Sequence, residues 1–588
     1  MPVERRVNDL VRRMRPDEKL GLLSGKPNNR LGIPELRAVT GVMGVSAKDA
    51  SGQTIPATAF PANIGIAATW NPGLAEQVGA VVAQQARSMG RGQILGPLIT
   101  VSRSPLGGDL FETYGEDPFL TSRIASGFIE GVQGEGAIAT AIYEGGAFDN
   151  RTAREIDLRP LESVVTEAGV WAVTPRVKIA ADPWPTLLRS QLGFRGFAVS
   201  NGSAEGLSAA EIDDQVRGTL RAMFASGVFD RDARVSAEIE SAAHRAIART
   251  AAARSIVLLK NEGGLLPVDP GKLRSIVVFG PNAPVNRMGG GNYTVAARYS
   301  DPPLAALRAV FGSRLLTGGV SPGEAANVAR SADIAVVFAG TGADSEAESR
   351  DRSSLHLPAG LDDLIKAVAK ANPHTIVVLT NGSPVAMPWI HDVSAVVEAW
   401  FPGEEGGHAI ADILTGAGNP SGRLPVTFPA RIEDLPAHSA GLYSGYRHFD
   451  RAGIAPLFPF GFGLSYTRFE YSDMAVLPSQ VQPGQFAEVS VTVRNAGSRP
   501  GTETVQLYLH AVRSRSAVER PLNELRAFEQ VDLKAGESKR VRFTLTPAST
   551  SWFDARSQEW VQDQAEFEVR IGSSSRDVRA TGSLTITE

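Results

Sequence analysis

Residues 193–202 read Gly-Phe-Arg-Gly-Phe-Ala-Val-Ser-Asn-Gly, and the fold of the first half of the chain is organised around this stretch. The apolar run 197–199 is bracketed by glycine and ends in small polar residues, which predicts a short buried strand. In α/β enzymes the carboxyl end of such a strand usually carries the chemistry. The residue predicted there is Asn201, whose amide carries no charge and is a weak nucleophile. The stretch therefore predicts an α/β enzyme fold with an amide, Asn201, at the carboxyl end of this strand.

The bulk composition is that of a soluble globular protein. The 588 residues are 43% hydrophobic and 21% charged, and the net charge of −4 argues against general binding to nucleic acid or to anionic membranes. The absence of cysteine excludes disulfides, thiolate metal sites and cysteine nucleophiles. The basic amino-terminal segment lacks the apolar core of a secretion signal, and no apolar run is long enough to span a membrane. We expect a cytoplasmic protein of about three domains.

Residues 1–235 alternate short apolar runs with helical patterns, which predicts a barrel-like α/β domain. Pro72 predicts the first turn of a helix over 71–89. Strands are predicted at 64–67, 93–97, 138–142, 170–173 and 197–199. A complete eight-fold barrel typically needs about 250 residues, so we expect a shortened, degenerate barrel.

The rest of the chain divides where the pattern changes. A linker helix is predicted over 236–255 and a doubly wound α/β sandwich over 256–428, because runs such as 334–338 are apolar on both faces. A connecting loop is predicted over 429–470. From 471 to 588 apolar residues alternate, which predicts a fibronectin type III-like β-sandwich. The expected architecture is α/β multidomain: a shortened (β/α) barrel-like domain, a doubly wound α/β sandwich and a C-terminal fibronectin-III-like β-sandwich.

Several motifs resemble those of the family 3 glycoside hydrolases of the β-glucosidase type. The barrel half contains Ser-Pro-Leu-Gly-Gly at 104–108 and Glu-Asp-Pro at 116–118, and Gly-Phe-Ala-Val-Ser at 196–200 precedes the family's nucleophile position. The second half contains Asn-Pro-Ser-Gly-Arg-Leu-Pro at 419–425 and Phe-Gly-Phe-Gly-Leu-Ser-Tyr at 460–466. These motifs span most of the chain, and their joint occurrence is highly specific.

The resemblance implies hydrolysis of β-linked sugars with retention, in which one carboxylate attacks the anomeric carbon and a second protonates the leaving oxygen. Asn201 stands where the family has its nucleophilic aspartate, so we expect glycosidase activity to be lower by several powers of ten. Other sugar contacts of the family are also replaced. Its Thr-Asp-Gly-Pro aspartate aligns with Gly41, the arginine of Gly-Arg-Asn-Phe-Glu with Asp109, and the Lys-His pair with Ile142 and Tyr143.

The resemblance also locates a surviving acid/base residue. The family carries this glutamate in a loop of the form Glu-Gly-x-Asp-Arg, and the run Glu-Ala-Glu-Ser-Arg-Asp-Arg at 346–352 aligns Glu348 with it. Glu348 is therefore the candidate catalytic residue, with Asp351 and Arg352 as its expected neighbours. The other residues expected to line the pocket are Asn201, Arg103, Asp109, Tyr143, Glu144 and Trp171.

Structural alternatives exist for these candidates. Glu348 lies in a charge-rich run, and such runs are usually solvated. Asn201 followed by glycine is a strong turn signal, and Glu144 and Asp109 can be read as ordinary loop charges. The eight histidines show no metal-ligand spacing, so we expect no metal ion, and no motif indicates a cofactor.

Three functions remain open at this point. The first is a repurposed enzyme in which Glu348 performs elimination, cyclisation or isomerisation on a glycoside or natural-product intermediate. The second is a non-catalytic relative that binds a carbohydrate or a protein partner in the old cleft. The third is a weak residual β-glycosidase in which Glu144 or Asp109 replaces the nucleophile. We expect a small-molecule ligand, no nucleic acid and no membrane, and the sequence leaves the oligomeric state open, a homodimer included.

Overall fold

The structure is a computed structural model that describes residues 2–49, 51–144, 149–175, 185–199, 207–230, 239–291, 293–348, 350–436, 441–516 and 518–587. Its first domain is built on a five-stranded sheet in which every pair of neighbouring strands is parallel. The carboxyl ends of these strands therefore meet at one edge of the sheet, as the shortened barrel predicts. In spatial order the strands are Ala38–Thr40, Gln93–Leu98, Ile138–Tyr143, Ala172–Pro175 and Phe197–Ala198.

Two long helices, Pro72–Ser88 and Pro118–Gly134, cover one face of this sheet. Their first N–H groups donate to the side chains of Asn71 and Asp117, as the predicted helix start at Pro72 requires. The two helices lie very close together, because a Cβ on Gly131 would stand 1.9 Å from the carbonyl oxygen of Glu76. The other helices of this half are Val3–Arg13, Pro16–Leu23, Asn63–Ala68, Asn150–Thr152, Arg159–Thr166, Ala209–Ala225 and Ala242–Ser255, with 3-10 turns at Leu110–Glu112 and Val228–Asp230 and π-helical turns at Ala153–Asp157 and Pro185–Gln191.

Two of the predicted strands need correction. Residues 64–67 belong to the helix Asn63–Ala68, all six residues of which are buried. A short helix that is apolar on every side has the same sequence pattern as a buried strand, so periodicity could not separate the two. The strand predicted at 170–173 begins two residues later, at Ala172, and ends at Pro175. This shift places Trp171 before the strand, at its amino end.

The second domain is a six-stranded, mainly parallel sheet with helices on both faces. At its centre Val336 lies opposite Val278 on one neighbour and Ile376 on the other. The edge strand Val257–Asn261 is antiparallel, and the short edge strand Leu315–Thr317 was not predicted. In spatial order the strands are Leu315–Thr317, Ile276–Phe279, Ile334–Gly340, Thr375–Thr380, Ala395–Glu398 and Val257–Asn261; the helices are Pro303–Phe311, Pro322–Ala329, Leu361–Ala371 and Gly406–Thr415, with 3-10 turns at Glu262–Gly264, Gly312–Arg314 and Ile432–Asp434.

The third domain packs a three-stranded sheet against a five-stranded sheet, as the alternating pattern predicts. Buried Val489, Val491 and Val493 of one sheet share a core with Val569 and Ile571 of the other. The strands are Phe469–Leu477, Ala487–Asn495 and Ser538–Leu545 in the first sheet, and Gln480–Val481, Val578–Ile586, Ala565–Gly572, Gly501–Ser514 and Glu524–Leu533 in the second. A hairpin, Trp552–Asp554 with Glu559–Val561, projects from this domain after the short helix Pro547–Thr550.

Buried polar contacts join the three domains. Arg447, on the connecting helix Tyr446–Ala452, pairs with Asp117 of the barrel at 2.8 Å. Arg423 of the sandwich pairs with Glu503 of the third domain at 2.6 Å. Glu116 accepts hydrogen bonds from the N–H of Thr427 and the N–H of Tyr446. These contacts fix how the loops of one domain lie on the next. Across the described ranges, no helix has the length and apolar character needed to cross a membrane.

Candidate active site

A loop of the α/β sandwich, here called the 341–352 loop and described at residues 341–348 and 350–352, lies directly on the 106–108 segment of the barrel domain. The N–H of Arg352 donates to the carbonyl oxygen of Leu106 at 2.8 Å, and the N–H of Gly108 donates to Asp351 Oδ1 at 3.1 Å. Within the sandwich, the N–H of Gly290 donates to the carbonyl oxygen of Glu346 at 2.8 Å. The loop that carries Glu348 is thus fastened on both sides, and the candidate site lies at a domain boundary.

Gly108 permits this close contact. A Cβ at this position would stand 1.7 Å from the carbonyl oxygen of Arg350 and 2.7 Å from that of Ala347. Both obstructing atoms belong to the backbone, so no rotamer change could relieve the overlap. The predicted Gly-Gly motif therefore serves as the surface on which the sandwich loop rests.

Glu348 is half-buried, and its Cβ lies beside the same glycine as a second carboxyl-bearing side chain, Glu112. A Cβ built on Gly291 would lie 3.2 Å from the Cβ of Glu348 and 3.7 Å from Oε1 of Glu112. Glu112 ends the 3-10 turn Leu110–Glu112 and is only 1% exposed. Sequence reasoning missed Glu112, although it closes the motif in which Asp109 was singled out. Asp109 itself precedes this turn and is half-buried, so both residues lie beside the docked loop.

Beneath Glu348, the loop contains a buried ion pair. Glu346 is fully buried and accepts hydrogen bonds from the N–H of Gly382 at 2.6 Å and from Ser383 Oγ at 2.5 Å. Arg352 Nη1 lies 3.4 Å from Glu346 Oε1 and donates to Ser383 Oγ and to the carbonyl oxygen of Pro384. Burial raises the pKa of Glu346, and the nearby Arg352 opposes that rise. Burial lowers the pKa of Arg352, which Glu346 in turn opposes. Arg352 therefore stabilises the conformation of the loop through its ion pair with Glu346.

A second group of predicted residues meets at the carboxyl ends of two barrel strands. Arg103, beyond the strand Gln93–Leu98, pairs with Asp157 at 2.7 Å. Tyr143 ends the strand Ile138–Tyr143, and burial raises the pKa of its hydroxyl, with the Asp157 charge as a smaller cause. The next residue, Glu144, donates its N–H to Thr100 Oγ1 at 2.9 Å. Burial likewise raises the pKa of Asp157, against the opposing charge of Arg103.

Two predicted pocket residues are not placed with these groups. Trp171 precedes its strand at the amino end, where it lines a separate groove of about 390 Å³ with Phe194, Arg195 and Arg221. Its exclusion follows from the strand boundary, since the amino and carboxyl ends of a strand lie at opposite edges of the sheet. Asn201 lies outside the described residues.

The chemistry available at the docked loop is that of carboxyl groups. Among the described residues, no cluster of His, Asp and Glu has the arrangement of a metal site. Glu348 stands at a domain boundary on a loop whose backbone is held by hydrogen bonds to both domains. A carboxyl group held in this way can donate a proton to a bound molecule or accept one from it.

Comparison with known proteins places this architecture. Residues 20–228 match the glycosyl hydrolase family 3 N terminal domain, and residues 256–466 match the glycosyl hydrolase family 3 C-terminal domain. Residues 503–575 match a fibronectin type III-like domain. The barrel-like domain, the α/β sandwich and the β-sandwich together form a glycosidase scaffold, and the loop that carries Glu348 lies between the first two. The chain belongs to glycosyl hydrolase family 3.

Individual relatives extend over almost the whole chain. Thermostable β-glucosidase B of Acetivibrio thermocellus is 34% identical over 97% of this chain and 87% of its own length. The structure of β-D-glucoside glucohydrolase from Trichoderma reesei superposes with a TM-score of 0.91 at 26% identity, covering 100% of this chain and 99% of that one. DesR, a β-glucosidase from Streptomyces venezuelae solved in complex with D-glucose, gives a TM-score of 0.88 at 26% identity and covers 99% and 100% of the two chains.

Proposed function

We propose that this protein is an enzyme that acts on a glycoside or a related natural-product molecule by proton transfer from Glu348, without a covalent sugar–enzyme intermediate. The observation that carries the proposal is the fastening of the 341–352 loop. Hydrogen bonds from Gly108 and Arg352 and the buried Glu346–Arg352 pair hold residues 346, 351 and 352 of this loop in place. Such positioning is what a general acid or base requires.

The proposed reaction class follows from what the sequence lacks. Retaining hydrolysis needs a second carboxylate that attacks the anomeric carbon, and Asn201 stands where the family resemblance puts that carboxylate. An acid without a nucleophile can still protonate a leaving oxygen. In an elimination the C1–O bond then breaks, the carboxylate left on Glu348 takes the proton from C2, and the products are an alcohol and an unsaturated sugar. Cyclisation and isomerisation use the same proton transfers and, like elimination, consume no water.

The test compares Glu348→Gln with the unchanged protein on a panel of glycosides, with mass spectrometry of the products. Loss of the titratable group should lower turnover of the converted glycoside by about a hundred- to ten-thousand-fold, since that is the usual contribution of general acid–base catalysis. Glu76→Gln, an exposed carboxyl on the helix Pro72–Ser88, is the matched control and should leave turnover unchanged. Equal turnover in Glu348→Gln and Glu76→Gln would contradict the proposal.

Residual hydrolysis of β-glycosides is the second candidate, favoured by the β-glucosidase names of the relatives and by the position of Glu144 just beyond a barrel strand. The two candidates differ in their use of water. Reaction in water labelled with oxygen-18 gives a sugar that carries the label if the bond is hydrolysed, and no oxygen label if the product forms by elimination or isomerisation. Hydrolysis that disappears in Glu144→Gln or Asp109→Asn would favour this second candidate. Binding of a sugar without any product would favour a non-catalytic receptor.

A further inference from the structure

The segment 149–158 lies between the barrel strand ends that carry Arg103 and Tyr143 and the C-terminal domain. It contains the π-helical turn Ala153–Asp157, closed by the N–H of Leu158 donating to the carbonyl oxygen of Ala153 at 2.7 Å. Turns of this kind are rare and are frequently found at functional sites. Its two sides make different contacts, and each side can be followed to a different domain.

One side of this turn faces the barrel strand ends. Asp157 binds Arg103, and Ile156 packs in a small buried cluster with Val101 and Leu442. Residues 156 and 157 thus pack against the group formed by Arg103 and Tyr143 at these strand ends.

The opposite side faces the hairpin Trp552–Asp554 and Glu559–Val561. Glu155 Oε1 accepts hydrogen bonds from the N–H of Phe553 and from Arg151 Nε, both at 2.8 Å. Three arginines of the barrel domain stack on three aromatic rings of the hairpin. The guanidinium-to-ring distances are 5.6 Å for Arg151 on Trp552, 4.7 Å for Arg154 on Phe553 and 5.3 Å for Arg159 on Trp560.

These stacks are largely shielded from solvent. The Arg154 and Arg151 side chains are only 14% and 18% exposed, and desolvated arginine–aromatic contacts are the stronger ones. Arg154 also pairs with Glu162 at 2.7 Å, so its guanidinium is held from two directions. The C-terminal domain makes a further contact through Glu519, whose carbonyl oxygen accepts a hydrogen bond from Arg151 Nη1 at 2.9 Å.

We propose that the hairpin of the C-terminal β-sandwich is a positioning element of the cleft: it holds the turn Ala153–Asp157, which fixes Asp157 and through it Arg103. The C-terminal domain then shapes the substrate-facing wall without contacting the substrate. Glu155 and the three arginines are positioning residues. The inference rests on the proposed function for the role of the cleft.

Hydrogen–deuterium exchange on the full chain tests this inference. Glu155→Ala removes the acceptor shared by Phe553 and Arg151, and we expect exchange in residues 99–104 to rise by about tenfold or more while the rest of the barrel is unchanged. Glu155→Gln keeps a carbonyl oxygen for the N–H of Phe553 and should restore most of the protection. Arg6→Ala is the matched control, because Arg6 stacks on Phe224 at 4.0 Å away from the segment 149–158.

Unchanged exchange in 99–104, or an equal rise throughout the chain, would overturn the inference, because the first denies the connection and the second shows general destabilisation. The exchange readout needs neither ligand nor turnover. Failure of Glu348→Gln to lower turnover would therefore refute the proposed function and leave this measurement intact.

Discussion

At the scale of single residues, Gly108 decides whether the Glu348 loop can rest on the barrel. We predict that Gly108→Ala lowers the free energy of unfolding by about 1–3 kcal/mol, because its Cβ would overlap the backbone of Arg350 and overpacking of this kind costs about that much. Urea unfolding would measure the change. Gly134→Ala is the matched control, since a Cβ there meets nothing within 4 Å. Equal stability of the two variants would contradict a direct contact at Gly108.

Residue identity alone could predict part of the site. The motif resemblance identified Glu348 as the acid/base candidate and Asp351 and Arg352 as its neighbours, and the structure brings Asp351 and Arg352 into contact with the barrel. Glu112 and Glu346 were not singled out, although each lies inside a motif that carries another candidate, Asp109 or Glu348. Their importance comes from what packs around them: Gly291 beside Glu112, and Gly382 and Ser383 around Glu346.

At the scale of elements, the loop 341–352 depends on its buried ion pair. We predict that Glu346→Ala destabilises the protein by about 3–5 kcal/mol, because it leaves the Arg352 guanidinium buried without its partner charge. Thermal or urea unfolding would measure the loss. The double variant Glu346→Ala with Arg352→Met should be less destabilised than Glu346→Ala, since it also removes the uncompensated charge. An unchanged free energy of unfolding in Glu346→Ala would show that the ion pair does not stabilise the loop.

Strand patterns predicted which elements exist better than where they end. The strand expected at 170–173 is Ala172–Pro175, and this difference of two residues moves Trp171 to the opposite edge of the sheet. Alternating or apolar runs report burial, and burial continues past the last hydrogen-bonded residue of a strand. An argument that depends on one end of a strand therefore needs the tertiary structure.

At the scale of the whole molecule, a pair of buried carboxyl groups links the domains. Glu240, just before the linker helix Ala242–Ser255, interacts electrostatically with Glu404 of the sandwich, and Glu404 accepts a hydrogen bond from the N–H of Ala59 in the barrel at 3.0 Å. Burial raises the pKa of both groups. The charge of Glu405 raises the pKa of both groups, whereas Arg245 and Arg298 lower the pKa of Glu240. His408 lies 2.8 Å from Glu405 and 3.7 Å from Asp301.

We predict that this carboxyl pair makes stability fall as pH rises. The unfolded chain releases the proton near the ordinary value of 4.5, whereas the folded protein retains it, so unfolding releases a proton at intermediate pH. The free energy of unfolding should therefore decrease above about pH 5 and level off only above the folded-state pKa. Glu404→Gln, which keeps a hydrogen-bonding group without the titration, should flatten this dependence, and Glu76→Gln should not.

Urea unfolding over a pH series would measure this dependence. Part of the slope should persist in Glu404→Gln, because burial raises the pKa of Glu116 to about 7 and that group contributes with the same sign. Identical pH profiles for Glu404→Gln and the unchanged protein would contradict a role for the pair.

The sequence by itself determined the order of domains, the family and the amide at position 201, because these depend on local periodicity and on motifs of neighbouring residues. It also determined the loop that carries Glu348. Only the tertiary structure decided that Glu346 pairs with Arg352 in the interior and that Glu112 and Glu348 lie beside the same glycine. Only the tertiary structure decided that a hairpin about 400 residues beyond Glu155 contacts the turn that carries Asp157, the partner of Arg103. The physical reason is that such contacts join positions far apart in the chain, and their strength depends on the burial that packing creates.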